Sequence, residues 1–390
     1  MDFDLQWLLI GLPLAFALGW AASRLDLRQW RRDRRDAPRA YYEGLSLLLN
    51  EQQDKAIDAF IEAVQLDPDT TELHFALGNL FRRRGEFERA VRVHEHLLSR
   101  SDLKPADRQR AQRALARDFD KAGLFDRAEA AWRSLVGTPF ETEARLALLA
   151  LHERAHDWPA AIVDAQALEA AGNGSFAGRI AHYHCELALE ADAGGRPDDA
   201  RQALAAAMRN APDAPRPLVL AGERAARAGD AAGALSHWDR LRQIAPDIFP
   251  LVAQAYAAQA LAAGRADAAS QALRDAWASD PAPELLTALE TLEAGRPAPS
   301  DSDRHSLDLL RLSHLARQPS LAAAAGVLTM DTDRWQGDTR RQLLEAVQRG
   351  ARPLQRYRCA ACGFEAHHYF WQCPGCQGWD TYPPRRLEAP

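Results

Sequence analysis

A small residue recurs through the middle of this chain at Ala56, Ala90, Ala128, Ala161, Ala200, Ala234 and Ala269, at successive intervals of 34, 38, 33, 39, 34 and 35 residues. Self-similarity at this period means one supersecondary unit used repeatedly, and a unit of that size cannot bury its apolar face alone. Each unit must lean on its neighbours, so the chain has to stack into a solenoid instead of closing around one compact core. Gly85, Gly123, Gly195, Gly229 and Gly264 fall five residues before the small position, where two helices reverse direction, and Pro68, Pro212, Pro246 and Pro281 close units.

From Gly44 to Pro68, small, aromatic, small and proline positions fall at Ala56, Phe60, Ala63 and Pro68, and Gly78 and Ala90 repeat Gly44 and Ala56 at an interval of 34. This is the spacing of tetratricopeptide repeats, two antiparallel helices per unit. It predicts an all-α superhelical solenoid over residues 37–294, with irregular spacing around Gly172 to Gly178 and Asp192 to Pro197. Stacked pairs leave a concave surface suited to peptides and protein partners. Arg82 and Arg83, in the first helix of the second repeat, are candidates for the grip. After Gly295 the stretch Arg-Pro-Ala-Pro-Ser-Asp-Ser-Asp breaks the pattern. Residues 295–350 read as a linker and terminal helices, with Leu307, Leu310, Leu315, Leu343, Leu344 and Val347 on apolar faces that cap the array and carry the C-terminal tail.

Residues 1–25 predict a transmembrane anchor. Leu5 to Ser23 is an uncharged run of 19 residues, about 28 Å as a helix and enough to span a bilayer. Trp7 and Trp20 lie near its two ends, at headgroup level. Only Asp2 and Asp4 precede it, whereas Arg24, Arg28, Arg31, Arg32, Arg34, Arg35 and Arg39 follow, most of them in a basic juxtamembrane segment over 26–36. The positive-inside rule then places the N-terminus outside and the bulk of the chain in the cytoplasm. A cleaved signal peptide would carry its positive charges before the apolar run.

Four of the five cysteines fall in the last 32 residues, as Cys359-Ala-Ala-Cys362 and Cys373-Pro-Gly-Cys376 with ten residues between the pairs. Two such hooks can wrap four thiolates around one soft metal ion, zinc or an iron of rubredoxin type. Glycines at Gly363 and Gly378 supply the tight turns this needs. A cytoplasmic setting keeps thiols reduced and removes the disulfide alternative. Residues 351–390 therefore read as a rubredoxin-like metal-binding domain.

Other constellations carry less. His152-Glu-Arg-Ala-His156 matches the His-Glu-x-x-His zinc motif, yet His156 takes the place of a turn glycine, so the helix that should align both imidazoles is ending there. Cys185, beside His182 and His184, reads as a small buried apolar residue. His367 and His368 lie between hooks that four thiolates already complete. The aromatics Tyr357, Phe364, Tyr369, Phe370, Trp371, Trp379 and Tyr382 must pack around the hooks and against the last helices, because some 30 residues hold almost no core of their own. A net charge of -6 argues against nucleic acid as the partner.

A membrane span, a tetratricopeptide array and terminal paired hooks, in that order, resemble the lipopolysaccharide assembly protein B family of Gram-negative bacteria. The most specific part is Tyr357-Arg-Cys359-Ala-Ala-Cys362-Gly-Phe364 followed by Trp371-Gln-Cys373-Pro-Gly-Cys376-Gln-Gly-Trp379. The resemblance implies a non-enzymatic, single-pass scaffold of the bacterial inner membrane with a periplasmic N-terminus. It implies work with the membrane-anchored AAA+ protease FtsH to degrade the deacetylase of the lipid A pathway, and contact with lipopolysaccharide synthesis or export proteins. It also assigns Cys359, Cys362, Cys373 and Cys376 as ligands of one iron ion, with zinc as the alternative. A general membrane-tethered chaperone or complex-assembly scaffold, and an iron- or redox-sensing regulator, fit the same features, and self-association stays open.

Overall fold

The computed structural model describes residues 15–20, 42–47, 49–50, 52–67, 69–296, 301–317, 321–328, 344 and 347–387. The expected span over residues 5–23 lies outside the described residues except for 15–20, which are helical with Phe16, Leu18 and Trp20 exposed. The basic segment over 26–36 lies outside them altogether. No helix among the described residues is long and apolar enough to cross a membrane.

The chain divides into two compact units, Met1–Gly174 and Ser175–Pro390. In the first, α1 (Gln53–Leu66) is followed by the pairs α2 (Thr71–Arg83) and α3 (Phe87–Ser99), α4 (Pro105–Lys121) and α5 (Phe125–Arg133), and α6 (Glu141–Ala155) and α7 (Trp158–Ala170). In the second, α8 (Ala177–Ala193) pairs with α9 (Pro197–Asn210) and α10 (Pro215–Arg227) with α11 (Ala231–Ile244). A 3-10 turn (Phe249–Val252) leads into α12 (Ala253–Ala262), which is followed by α13 (Ala266–Ser279), α14 (Pro283–Ala294), α15 (Asp301–Arg317) and α16 (Leu321–Leu328). These are the antiparallel helical pairs that the periodicity predicts.

Each repeating position has its physical reason. Ala56, Ala90, Ala128, Ala161, Ala200 and Ala234 are fully buried, and Ala269 is nearly so, because a methyl group is all that fits where paired helices touch. The five turn glycines all adopt positive φ, between 66° and 81°, a region that costs a Cβ-bearing residue energy. His156 takes the same left-handed cap, φ 57°, as its position in the repeat requires. Elsewhere the pairs approach still more closely. A Cβ on Gly78 would lie 2.5 Å from the His94 ring, and one on Gly222 would lie 2.2 Å from the Trp238 indole. Trp238 is fully buried, and burying an indole of roughly 200 Å² contributes about 5 kcal/mol before entropy is counted.

Two irregularities have simple causes. The turn at Gly172 and Gly174, both at positive φ, separates the two units. The long interval to Ala200 reflects the 17-residue α8, which delays the turn at Gly195. Beyond Gly295, α15 continues the packing of the second unit. Arg274 Nη1 donates to Ser306 Oγ at 2.8 Å, Arg311 pairs with Glu290 at 2.8 Å, and Leu307 joins the core formed by α10 to α14. Leu315 and Leu343 lie outside the described side chains.

Candidate metal centre

Residues 357–382 build a small knuckle from two similar loops. Strands β1 (Tyr357–Arg358) and β2 (Glu365–Ala366) pair antiparallel, Tyr357 opposite Ala366 and Arg358 opposite Glu365. This hairpin carries the first hook, and an isolated bridge between Gln372 and Trp379 frames the second. In each loop the backbone folds back on its first cysteine. Gly363 N–H donates to the Cys359 carbonyl at 2.9 Å, and Gln377 N–H donates to the Cys373 carbonyl at 2.8 Å. Both donors have positive φ, 78° and 58°.

The second of these corrects the sequence reading, which gave the turn to Gly378. Gln377 adopts the left-handed backbone, and Gly378 serves close approach instead. A Cβ on Gly378 would meet Thr381 Cγ2 at 2.8 Å and Cys376 Sγ at 3.5 Å.

All four Sγ atoms lie within 4.8 Å of one another, with Cys359 to Cys376 at 3.8 Å and Cys362 to Cys373 at 3.7 Å. A tetrahedron of metal–sulfur bonds about 2.3 Å long has edges of about 3.8 Å. The donor set therefore fits one four-coordinate ion, and this sulfur cage suits zinc and iron equally. Cys359 and Cys373 are buried while Cys362 and Cys376 are exposed. Cys359 Sγ lies 3.2 Å from the Thr381 hydroxyl, and hydrogen bonding between them, the largest influence, brings the Cys359 thiol down to about 6. A thiolate is the form a metal takes. The four thiols form the only group of three or more clustered His, Cys, Asp or Glu side chains able to hold a metal ion among the described residues.

The knuckle's aromatics divide between its own core and a seat on the second unit. Tyr357 and Tyr382 are buried with Cys359 and Cys373, and Tyr369, Phe370 and Leu251 of the 3-10 turn pack against them. Trp379 stacks on His182 of α8 at 4.7 Å and meets Tyr183 edge-on at 6.1 Å. His182 Nε2 meets Asp380 at 2.9 Å. The Arg216 guanidinium of α10 lies 5.9 Å from the Trp371 ring and 5.8 Å from the Trp379 ring, while pairing with Glu186 at 2.7 Å. Arg385 pairs with Asp280 and Arg386 with Glu284, each at 3.0 Å. The contacts with α8, α10, the 3-10 turn and α14 all fall on first helices of successive pairs. The aromatics were expected around the hooks and against the last helices; Tyr357, Tyr369, Phe370 and Tyr382 do pack around the hooks, but the two tryptophans reach back to α8 and α10, and it is Arg386 that meets α14. Only the aromatic density of the tail hinted at such a seat.

Other sequence candidates fall apart or turn inward. His152 faces Asp164 at 3.2 Å whereas His156 stacks on Trp158 at 5.0 Å, so the His-Glu-x-x-His pair does not converge. Cys185 is fully buried, and burial pushes its thiol up to about 12. His367 and His368 are exposed. Of the two proposed grip residues, Arg83 is exposed at the end of α2. Arg82 is held by Asp118 at 2.7 Å, by the Ala114 carbonyl at 3.2 Å and by Asn79. Asp118 is itself fully buried and meets His94 Nδ1 at 2.5 Å. Sequence reasoning missed this acid, which lies 36 residues beyond its arginine.

Comparison with known proteins places these features together. Residues 357–384 match a family described as a rubredoxin metal binding domain. The chain is 30% identical to Lipopolysaccharide assembly protein B of Escherichia coli (strain K12) over 392 residues, 98% of each chain. It is 28% identical over 410 residues to the protein of that name from Haemophilus influenzae, covering 97% of this chain and 98% of that one. Among solved structures, a tetratricopeptide repeat protein from Parabacteroides merdae overlaps 80% of this chain and 99% of its own, at 12% identity and a TM-score of 0.33.

Proposed function

Because this chain belongs to the lipopolysaccharide assembly protein B family, we propose that it is a non-enzymatic scaffold of lipopolysaccharide assembly, tethered to the inner membrane. The observation that carries this reading is identity at 30% along 98% of both chains, array and metal knuckle alike. The finer mechanism is adaptor action. The anchor over residues 5–23 holds the N-terminus in the periplasm and confines the array to the cytoplasmic side. There it meets the membrane protease FtsH and hands over the deacetylase of the lipid A pathway. Confinement to the plane of the membrane raises the effective concentration of scaffold and protease, so modest pairwise contacts suffice.

In this scheme the repeats hold the client and the metal centre is architectural. Four thiolates close the coordination shell and leave no open position for a substrate, and metal binding supplies folding free energy to the knuckle. The test is to deplete the protein in its own host and follow the deacetylase. Accumulation of the deacetylase with unchanged synthesis is expected. An unchanged level overturns the adaptor mechanism and leaves a scaffold with another client.

A further inference from the structure

Within the first unit, four arginines gather on and beside α4 with only three carboxylates as partners. Arg110, Arg113 and Arg117 stand at intervals of three and four residues along α4, on one side of that helix. Arg82 reaches the same neighbourhood from α2 and Glu143 from α6. Arg110 pairs with Glu72, while Glu143 serves two guanidinium groups, Arg117 at 2.6 Å and Arg113 at 3.6 Å. Asp118 is spent on Arg82 and the buried His94. Four arginines thus share three carboxylates, one of them sealed inside. The crowding is felt at Arg113. Burial first, then the charge of Arg117, hold it below its ordinary value against the pull of Glu143, and Arg110 and Arg82 add to the effect.

The arginines are braced yet accessible. Arg110 lies 4.1 Å from the Phe75 ring and Arg113 lies 4.7 Å from the Phe140 ring, which fixes their stems. The side chains of Arg110 and Arg117 remain 43% and 41% exposed, so both can still reach an incoming ligand. Beside Glu143 on α6, Leu146 is 45% exposed and Ala150 is exposed as well, giving the charged strip an apolar margin.

We propose that this face, centred on Arg110, Arg113 and Arg117 with Leu146 at its edge, binds an extended acidic segment of a protein client. Charge complementarity selects the occupant: guanidinium groups take carboxylates in planar, two-point contacts. Arg110 and Arg117 are separated by seven residues, about 10 Å along the helix axis. An extended chain advances about 3.4 Å per residue, so acidic residues three apart match the strip. The assignment refines the scaffold reading by naming where the client is held, and it rests on that reading only for the idea that there is a client.

The test uses the full chain in an uncharged detergent and a labelled decapeptide with glutamate at every third position, read by fluorescence anisotropy. The control is the same peptide with glutamine in those positions. Binding of the glutamate peptide is expected to be at least tenfold tighter than the control and to weaken as salt rises. The R113Q/R117Q double variant should lose about tenfold in affinity, with R117K falling between it and the unaltered chain, because an ammonium keeps the charge but not the two-point contact. Equal binding of the two peptides overturns the proposal, as does wild-type affinity in a folded R113Q/R117Q variant. Arginine-dependent binding to phosphatidylglycerol vesicles without peptide binding also overturns it and reassigns the strip to lipid. If the double variant fails to fold, the glutamate-against-glutamine comparison in the unaltered chain still decides. None of these outcomes depends on deacetylase levels, so failure here is distinct from failure of the adaptor mechanism.

Discussion

The two units use the same helical pair and finish their first helices in opposite ways. In the first unit, arginines of α4 partly pair with Glu72 of α2 and Glu143 of α6, and Arg110 and Arg117 remain open to solvent. In the second, α8, α10, the 3-10 turn and α14 are engaged by the chain's own C-terminal knuckle through Trp379, Trp371, Arg385 and Arg386. One face keeps exposed arginines and the other is already occupied. The difference arises from the surface each must bury. The knuckle has too little core to stand alone, so its indoles need His182 and Arg216, whereas the arginines of α4 need water or an anion. An array of nearly identical units can therefore carry an open and a closed binding face without changing its fold.

The largest expected effect breaks the closed face at its base. The C359S/C362S variant should bind no metal, because two ligands are lost and the folding contribution of a structural site, on the order of 10 kcal/mol, goes with them. Metal content by mass spectrometry should fall from one ion per chain to none, and limited proteolysis should cut within residues 351–387 while sparing the first unit. Next comes the open side. Asp118→Ala leaves Arg82 and His94 without their shared acid in a buried setting, at a cost of about 3 kcal/mol. Chemical denaturation should place this loss in the first unit, with the metal retained. Unaltered stability would mean that the buried acid does not hold α2, α3 and α4 together.

A smaller effect sharpens the account of the seat. Trp379→Ala removes the stack on His182 and the ring beneath Arg216, and should cost about 2 kcal/mol. Metal should stay bound, since Trp379 is no ligand, while amides of α8 exchange faster. Loss of metal in this variant would show that seat and site are one cooperative unit. The smallest effect is a pH dependence confined to the first unit. Hydrogen bonding to the Asp164 carboxylate raises the His152 value above 6.5, with burial opposing it. A raised value means that the protonated ring stabilises the fold. That contribution is complete below 6.5 and is lost as pH climbs through the raised value, so the first unit's melting temperature should decline over that range. His152→Gln should flatten the decline.

Much of this organisation is legible in the sequence because it is local or periodic. The buried alanines and positive-φ glycines recur with the repeat, and the end of the helix at His156 is legible from its position in the repeat alone. The four sulfurs are equally plain, since two short hooks enforce their own convergence. What sequence reasoning lacked was long-range. Trp379 stands 197 residues from its stacking partner His182, and no periodicity links them. Arg82 looked like a partner-binding residue because the acid that captures it lies on another helix. At the second hook, glycine is the default choice for positive φ, yet the left-handed residue is the one directly after the hook, Gln377, just as Gly363 is at the first, and Gly378 lies against Thr381 instead.

The contrast between an open and a closed face is tested most directly by hydrogen exchange on the full chain with and without its metal. Stripping the metal should release the knuckle and raise exchange in α8, α10 and the 3-10 turn, while α2, α4 and α6 keep the protection they had. Unchanged protection of α8 and α10 after the metal has gone would contradict the account, because it would mean that the seat neither depends on the metal centre nor covers those helices.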